Sequence, residues 1–182
     1  MTPLLLKRTK GRKSRYHGPD DYATLLKSGS AFLKNGNHQE ALECLQEATK
    51  LRPGSPETSY ALGQVYERMG RLGSAKQMYR LVLETDPGNI EAMIRTAQIL
   101  EKEGDYHQAV QVYQKAIETN PQSIAPRFGL ALLYQHYDMF DEAMEAYTAL
   151  LMRDPTHPTA WINLGQLLFQ LGGYPETANL PS

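Results

Sequence analysis

Prolines recur along this chain at a constant step of 34 residues, at Pro53, Pro87, Pro121 and Pro155. Alanines keep the same step at Ala41, Ala75, Ala109 and Ala143. Glycines keep it at Gly36, Gly70, Gly104 and Gly172, with Asp138 in the vacant place. A period of this length restricts the chain to a stack of like supersecondary units, none of which can bury its apolar face alone. The repeats read as 22–55, 56–89, 90–123 and 124–157, with a partial fifth over 158–174. A basic, disordered tail is expected over 1–21 and an irregular end over 175–182.

Each repeat holds two helical patterns. In the second, Leu62, Gly63 and Tyr66 fall on one face of a first helix, and Ala75, Tyr79 and Val82 on one face of a second. These i, i+3/i+4, i+7 spacings are amphipathic stripes. They recur as Ala109, Tyr113, Ala116 and as Ala143, Tyr147, Leu150. Between the helices a glycine supplies the positive φ that ends the first helix. After the second, Asp86-Pro87, Asn120-Pro121 and Asp154-Pro155 stop it, because the residue before proline is driven out of the α region. The small alanine place is expected to let the paired helices approach, facing Gly63 or Gly165, with Tyr79, Tyr113 and Tyr147 filling the space between consecutive repeats. The fold class expected is an all-α array of antiparallel helix pairs.

The pattern Trp-x-x-Leu-Gly-x-x-Tyr … Ala-x-x-x-Phe … Pro is met by Leu62, Gly63, Tyr66, Ala75, Tyr79 and Pro87, and Trp161, Leu164 and Gly165 supply its start in the fifth repeat. On these residues the chain resembles the tetratricopeptide repeat (TPR) family over about 22–174, with Ser28, Ala97 and Ala131 as departures. The resemblance implies a right-handed superhelical solenoid whose first helices line a concave face. It also implies a non-catalytic scaffold or adaptor that holds a protein or peptide partner there, without a cofactor.

The stripe that would face the partner includes an apolar ladder, Leu26, Tyr60, Ile94, Phe128 and Ile162. Beside it lie Ser30, Gln64, Gln98, Leu132 and Gln166, and further along Leu33, Glu67, Arg68, Glu101, Lys102 and Phe169. Leu26, Leu33, Tyr60, Gln64, Ile94, Gln98, Phe128, Ile162 and Gln166 are the candidate partner-binding residues, with apolar anchors flanked by amides that can pair with a peptide backbone. In family members that hold the Hsp70/Hsp90 C-terminal carboxylate, a Lys/Asn/Asn/Lys/Arg clamp does the work. Here its places read Leu26, Ser30, Ala61, Glu91 and Arg95, which excludes that role because the charge-assisted bonds are gone. The asparagine ladder of the nucleocytoplasmic glycosyltransferase is likewise absent, its places reading Lys27, Ala61, Arg95, Gly129 and Asn163.

The two ends depart from the repeat. Residues 1–19 carry Lys7, Arg8, Lys10, Arg12, Lys13 and Arg15 and no acid, leaving 13 basic against 20 acidic residues elsewhere. The tail reads first as a solubilising segment. A nuclear-import signal, a nucleic-acid contact and an anionic-surface anchor are the alternatives, which would make the protein an assembly factor on nucleic acid or membrane. At the other end Trp161, Leu164, Leu167 and Leu168 are expected to form an exposed apolar patch, which reads as a truncated product, a splice-type isoform or a surface for self-association, with a targeting domain of a larger protein as a further alternative.

Chemistry is not expected. His17, His38, His107, His136 and His157 form no metal-ligand spacing, so no metal site is assigned. The run Gly70-Arg71-Leu72-Gly73-Ser74-Ala75-Lys76 lacks a phosphate-loop core and follows a helix. Cys44 has no neighbouring base in sequence and reads as a structural thiol. One cysteine and no long apolar run suit a cytoplasmic chain, with nuclear as the alternative.

Overall fold

After three of the four second helices, the aspartate or asparagine before the proline turns back on the chain. Asp86 Oδ1 accepts from the Gly88 N–H at 3.2 Å, Asn120 Oδ1 from Gln122 at 3.1 Å, and Asp154 Oδ1 from Thr156 at 3.2 Å. These side-chain turns, together with the proline, mark those three stops, while α2 ends before Arg52-Pro53. The computed structural model describes residues 19–172 of the chain. Nine helices lie among them: α1 Pro19–Lys34, α2 His38–Leu51, α3 Pro56–Arg68, α4 Leu72–Thr85, α5 Ile90–Lys102, α6 Tyr106–Thr119, α7 Ala125–His136, α8 Phe140–Leu151 and α9 Pro158–Gln170. No strand occurs among the described residues, and the protein is an all-α repeat array. The first helix reaches back to Pro19, so residues 19–21 of the expected tail are helical. The basic residues Lys7 to Arg15 and the expected irregular end at 175–182 lie outside the described residues.

The turn within each helix pair is built the same way four times. Gly36 N–H donates to Leu33 O at 3.1 Å and Asn37 N–H to Phe32 O at 2.9 Å. The pairs at Gly70/Arg71, Gly104/Asp105 and Asp138/Met139 repeat this geometry. This double bond to the last turn requires a left-handed residue, and Gly36, Gly70 and Gly104 supply it at φ 78°, 71° and 80°. In the fourth turn Asp138 takes that place at φ 57°, the sole non-glycine with positive φ among the described residues. A side chain there works against the backbone conformation. Asp138→Gly is therefore expected to raise the unfolding free energy by about 0.5–1 kcal/mol in urea titrations.

The chain divides into two compact units, up to Val82 and from Leu83. In the first unit α1 packs on α2 and α3. Its core is Ala41, Leu42, Leu45, Ala61, Leu62 and Val65, bordered by Leu26, Phe32, Leu33 and Tyr66. A smaller cluster of Tyr22, Leu25 and Ala48 seals its start. The Tyr22 hydroxyl there lies 2.6 Å from Ser55 Oγ and 3.0 Å from Thr58 Oγ1, which ties the start of α1 to the cap of α3. In the second unit α5 packs on α6 and α7, α7 on α8, and α8 on α9. Its cores are Ala97, Leu100, Ala109, Tyr113, Leu130 and Leu133, and then Ala131, Ala143, Tyr147, Leu150, Leu151, Ala160 and Leu167.

Tyr79, Tyr113 and Tyr147 are wholly buried, as their place in the stripe implies. Their neighbours differ from the expectation that alanine faces glycine. A Cβ on Gly63 would stand 2.6 Å from the Tyr79 ring, and one on Gly129 would stand 2.5 Å from the Tyr113 ring. Those glycines make room for a tyrosine, because a flat ring needs more clearance than an alanine methyl. Nothing lies within 4 Å of a Cβ built on Gly165.

Candidate functional site

The tyrosines carry their hydroxyls to the last turn of the first helices. Tyr79 donates to Glu67 Oε2 at 2.7 Å, and Tyr147 donates to Gln135 Oε1 at 2.8 Å. Asn163 Nδ2 in turn donates to the Tyr147 hydroxyl at 2.9 Å. Burial, and behind it the Glu101 carboxylate, pushes the Tyr113 phenol well above its ordinary value. Glu67, Glu101 and Gln135 share one place in the repeat, so each sits where a buried phenol meets the surface.

The candidate binding residues take their positions around these groups. In the first unit Leu26 and Leu33 are half-buried and pack against the core. Tyr60 is also half-buried, its ring centroid 5.5 Å from that of Tyr79. Gln64 is half-buried on α3. The Ser30 hydroxyl donates to Leu26 O at 2.9 Å along its own helix. In the second unit Ile94 leans on the cluster containing Ala97, Leu100 and Tyr113. Phe128 lies 6.2 Å from Tyr147 and 4.9 Å from His157, ring to ring. Leu132, Ile162 and Gln166 are exposed. Leu26, Tyr60, Ile94 and Phe128 are thus partly buried by packing within their own unit.

Gln98, Glu101 and Lys102 on α5 and His136 on α7 line an open cleft of about 560 Å³. Gln98 belonged to the candidate set, and Glu101 and Lys102 to its rim. His136 did not, although it occupies the same repeat place as Lys102 and could have been read by phase alone. The lining offers an amide, a carboxylate, an ammonium and an imidazole within two helical turns, a set that can pair with peptide N–H, C=O and charged side chains.

Cys44 is half-buried, and burial followed by Glu43 and Glu40 pushes its thiol up, away from thiolate reactivity. Among the described residues no three His, Cys, Asp or Glu side chains are grouped to hold a metal ion. Among the described residues no helix is long and apolar enough to cross a membrane.

Family models for the TPR repeat or tetratricopeptide repeat match residues 29–70, 56–99, 100–147 and 127–177. Comparison with the curated proteins finds no match. Among solved structures, residues 41 to the end of MamA from Desulfovibrio magneticus RS-1 align with a TM-score of 0.71 at 22% identity, covering 85% of this chain and 87% of that one. A tetratricopeptide repeat protein from Parabacteroides merdae aligns at 0.75 and 24%, covering 86% and 61%. YrrB, described as a TPR protein with an unusual peptide-binding site, aligns at 0.64 and 21%, covering 86% and 81%. At these identities the structures share the fold, while the family models together cover residues 29–177 without a gap. The chain belongs to the tetratricopeptide repeat family.

Proposed function

We propose that this protein is an interaction scaffold whose first-helix faces hold a segment of a partner protein. The observation that carries this reading is the cleft of about 560 Å³ lined by Gln98, Glu101, Lys102 and His136, with the partly buried apolar side chains Ile94 and Phe128 on the same two helices. An extended or helical peptide needs that combination: apolar seats for alternate side chains and polar groups for its backbone. In the first unit Leu26, Leu33, Tyr60 and Gln64 offer the same mixture. The peptide-binding site ascribed to YrrB is an analogy in its favour.

The half-burial of Tyr60, Ile94 and Phe128 makes their removal a poor test, since it disturbs packing as well. The polar lining is the better target. A displayed library of random 15-residue peptides, about that length being needed to span several helical turns, is selected against the full chain. Peptides so obtained are expected to lose at least about tenfold in affinity with Lys102→Glu combined with His136→Asp. They should keep their affinity with Lys115→Glu, at an exposed position of α6. Binding that ignores the cleft substitutions and follows Lys115 instead would refute the reading.

A further inference from the structure

One helix differs in kind from the rest. Every described helix except α9 carries Asp, Glu, Lys or Arg, while α9 reads PTAWINLGQLLFQ and has none. Five large apolar side chains of α9 and its cap stand well exposed: Trp161 54%, Ile162 58%, Leu168 41%, Phe169 70% and Leu171 46%. The expected patch is corrected here. Leu167 is wholly buried and Leu164 half-buried, because the Tyr147, Leu150 and Leu151 side of α8 packs on them, and Ile162, Phe169 and Leu171 take their place on the open side.

Gly165 lies in the middle of this surface. Trp161 and Ile162 precede it by about one turn, and Leu168 and Phe169 follow it by about one turn. At the same repeat place, Gly29 and Gly63 have their space taken by Leu45 and Tyr79, at 2.7 and 2.6 Å from a built Cβ. At Gly165 that space is open. The face therefore has a hole with apolar knobs on both sides. The Trp161 indole N–H donates to Pro155 O at 2.8 Å, which fixes one knob in orientation while its ring stays exposed.

We propose that α9 docks against α9 of a second copy of this chain, antiparallel, crossing at Gly165. A two-fold contact sets each residue near the axis against its own copy, so a charge there meets a like charge. A neutral face with a central hole avoids that cost, and the missing side chain lets the two backbones approach. The neighbouring depression on α8 is a poorer seat for a copy, since Asp141 and Glu145 line it. The exposed knobs would bury on the order of 1,000 Å² in total, at the low end for a specific interface, which gives dissociation in roughly the 10–100 µM range. None of the cleft residues Gln98, Glu101, Lys102 and His136 lies on this surface, although Ile162 belongs also to the candidate binding ladder, so the cleft substitutions and the α9 substitutions test the two readings separately.

Sedimentation velocity of the full chain from about 5 to about 500 µM tests the proposal. The expected result is a reversible rise from monomer to dimer mass. Gly165→Glu places a carboxylate beside its own copy, and Phe169→Asp removes an exposed knob. Each is expected to weaken dimerisation at least about tenfold without changing the helical circular dichroism of the monomer. A chain that stays monomeric throughout overturns the proposal. So does a dimer that survives both substitutions, since another surface then makes it. Deleting residues 173–182 separates the remaining occupant: a dimer that appears only after the deletion shows α9 covered by the chain's own end, and also overturns it.

Discussion

Tyr113→Ala is expected to lower the stability of the second unit by about 3–5 kcal/mol, the range for removing a large aromatic from a closed core. The ring is 1% exposed and belongs to the cluster with Ala97, Leu100, Ala109, Leu130 and Leu133. Gly129, Ala97 and Ala109 beside it present only backbone and methyl groups, so the leucines alone can move into the space. Tyr113→Phe keeps the ring and should cost less than about 1.5 kcal/mol. The contact with Gly129 adds a coupling that can be isolated. Gly129→Ala drives a methyl to 2.5 Å from the ring and should cost about 1–3 kcal/mol in the parent chain. In a Tyr113→Leu background the same change should cost far less, because the shorter side chain does not fill the clearance. Trp161, the single tryptophan, lies on α9 in the second unit and reports its unfolding in urea by fluorescence. A loss under about 1 kcal/mol for Tyr113→Ala, below the range of buried large-to-small changes, would show that the tyrosine is not what holds this unit together.

The regular part of the molecule was legible because one residue type settles one backbone decision. A glycine at a fixed step forces the left-handed turn, and an Asp or Asn before proline forces the stop. The described helices lie inside the repeats so drawn except at the start of α1, where residues 19–21 precede the first repeat. Asp138 could be set in the glycine place by phase, and its φ of 57° agrees. What a side chain touches was less legible. Periodicity assigns a face but not a direction or a reach, so the pairing of Gly63 with the Tyr79 ring was missed in favour of an alanine. The same limit affects the candidate site. Leu26, Tyr60, Ile94 and Phe128 were read as anchors kept free for a partner, yet each is half-buried, since a side chain at the fifth place also covers its own helix pair. Pro19 escaped because a helix can begin on proline, whose missing N–H is not needed in the first turn. Leu167 escaped because one helix can bury part of an apolar stripe and leave the rest exposed.

The same substitution at one repeat place should have opposite signs in two repeats. The eighth place holds Gly29, Gly63, Ala97, Ala131 and Gly165. Ala97 and Ala131 already carry a methyl there and are wholly buried, so the place tolerates a Cβ when the facing side chain stands back. At Gly63 it does not: a methyl would meet the Tyr79 ring at 2.6 Å, and that ring is fully enclosed and held by its bond to Glu67. Overpacking of this kind costs about 1–3 kcal/mol, more than the 0.5–1 kcal/mol or so that alanine contributes over glycine inside a helix. Gly63→Ala should therefore destabilise. At Gly165 no atom lies within 4 Å of the added methyl, leaving the helix preference alone, and Gly165→Ala should stabilise by about 0.5–1 kcal/mol. Urea titrations at low micromolar concentration keep self-association out of the comparison, with circular dichroism reading both substitutions and Trp161 fluorescence reading the second. Equal signs at the two glycines would mean that repeat position, and not the facing side chain, governs the place, and would remove the argument that the space at Gly165 is open to a second helix.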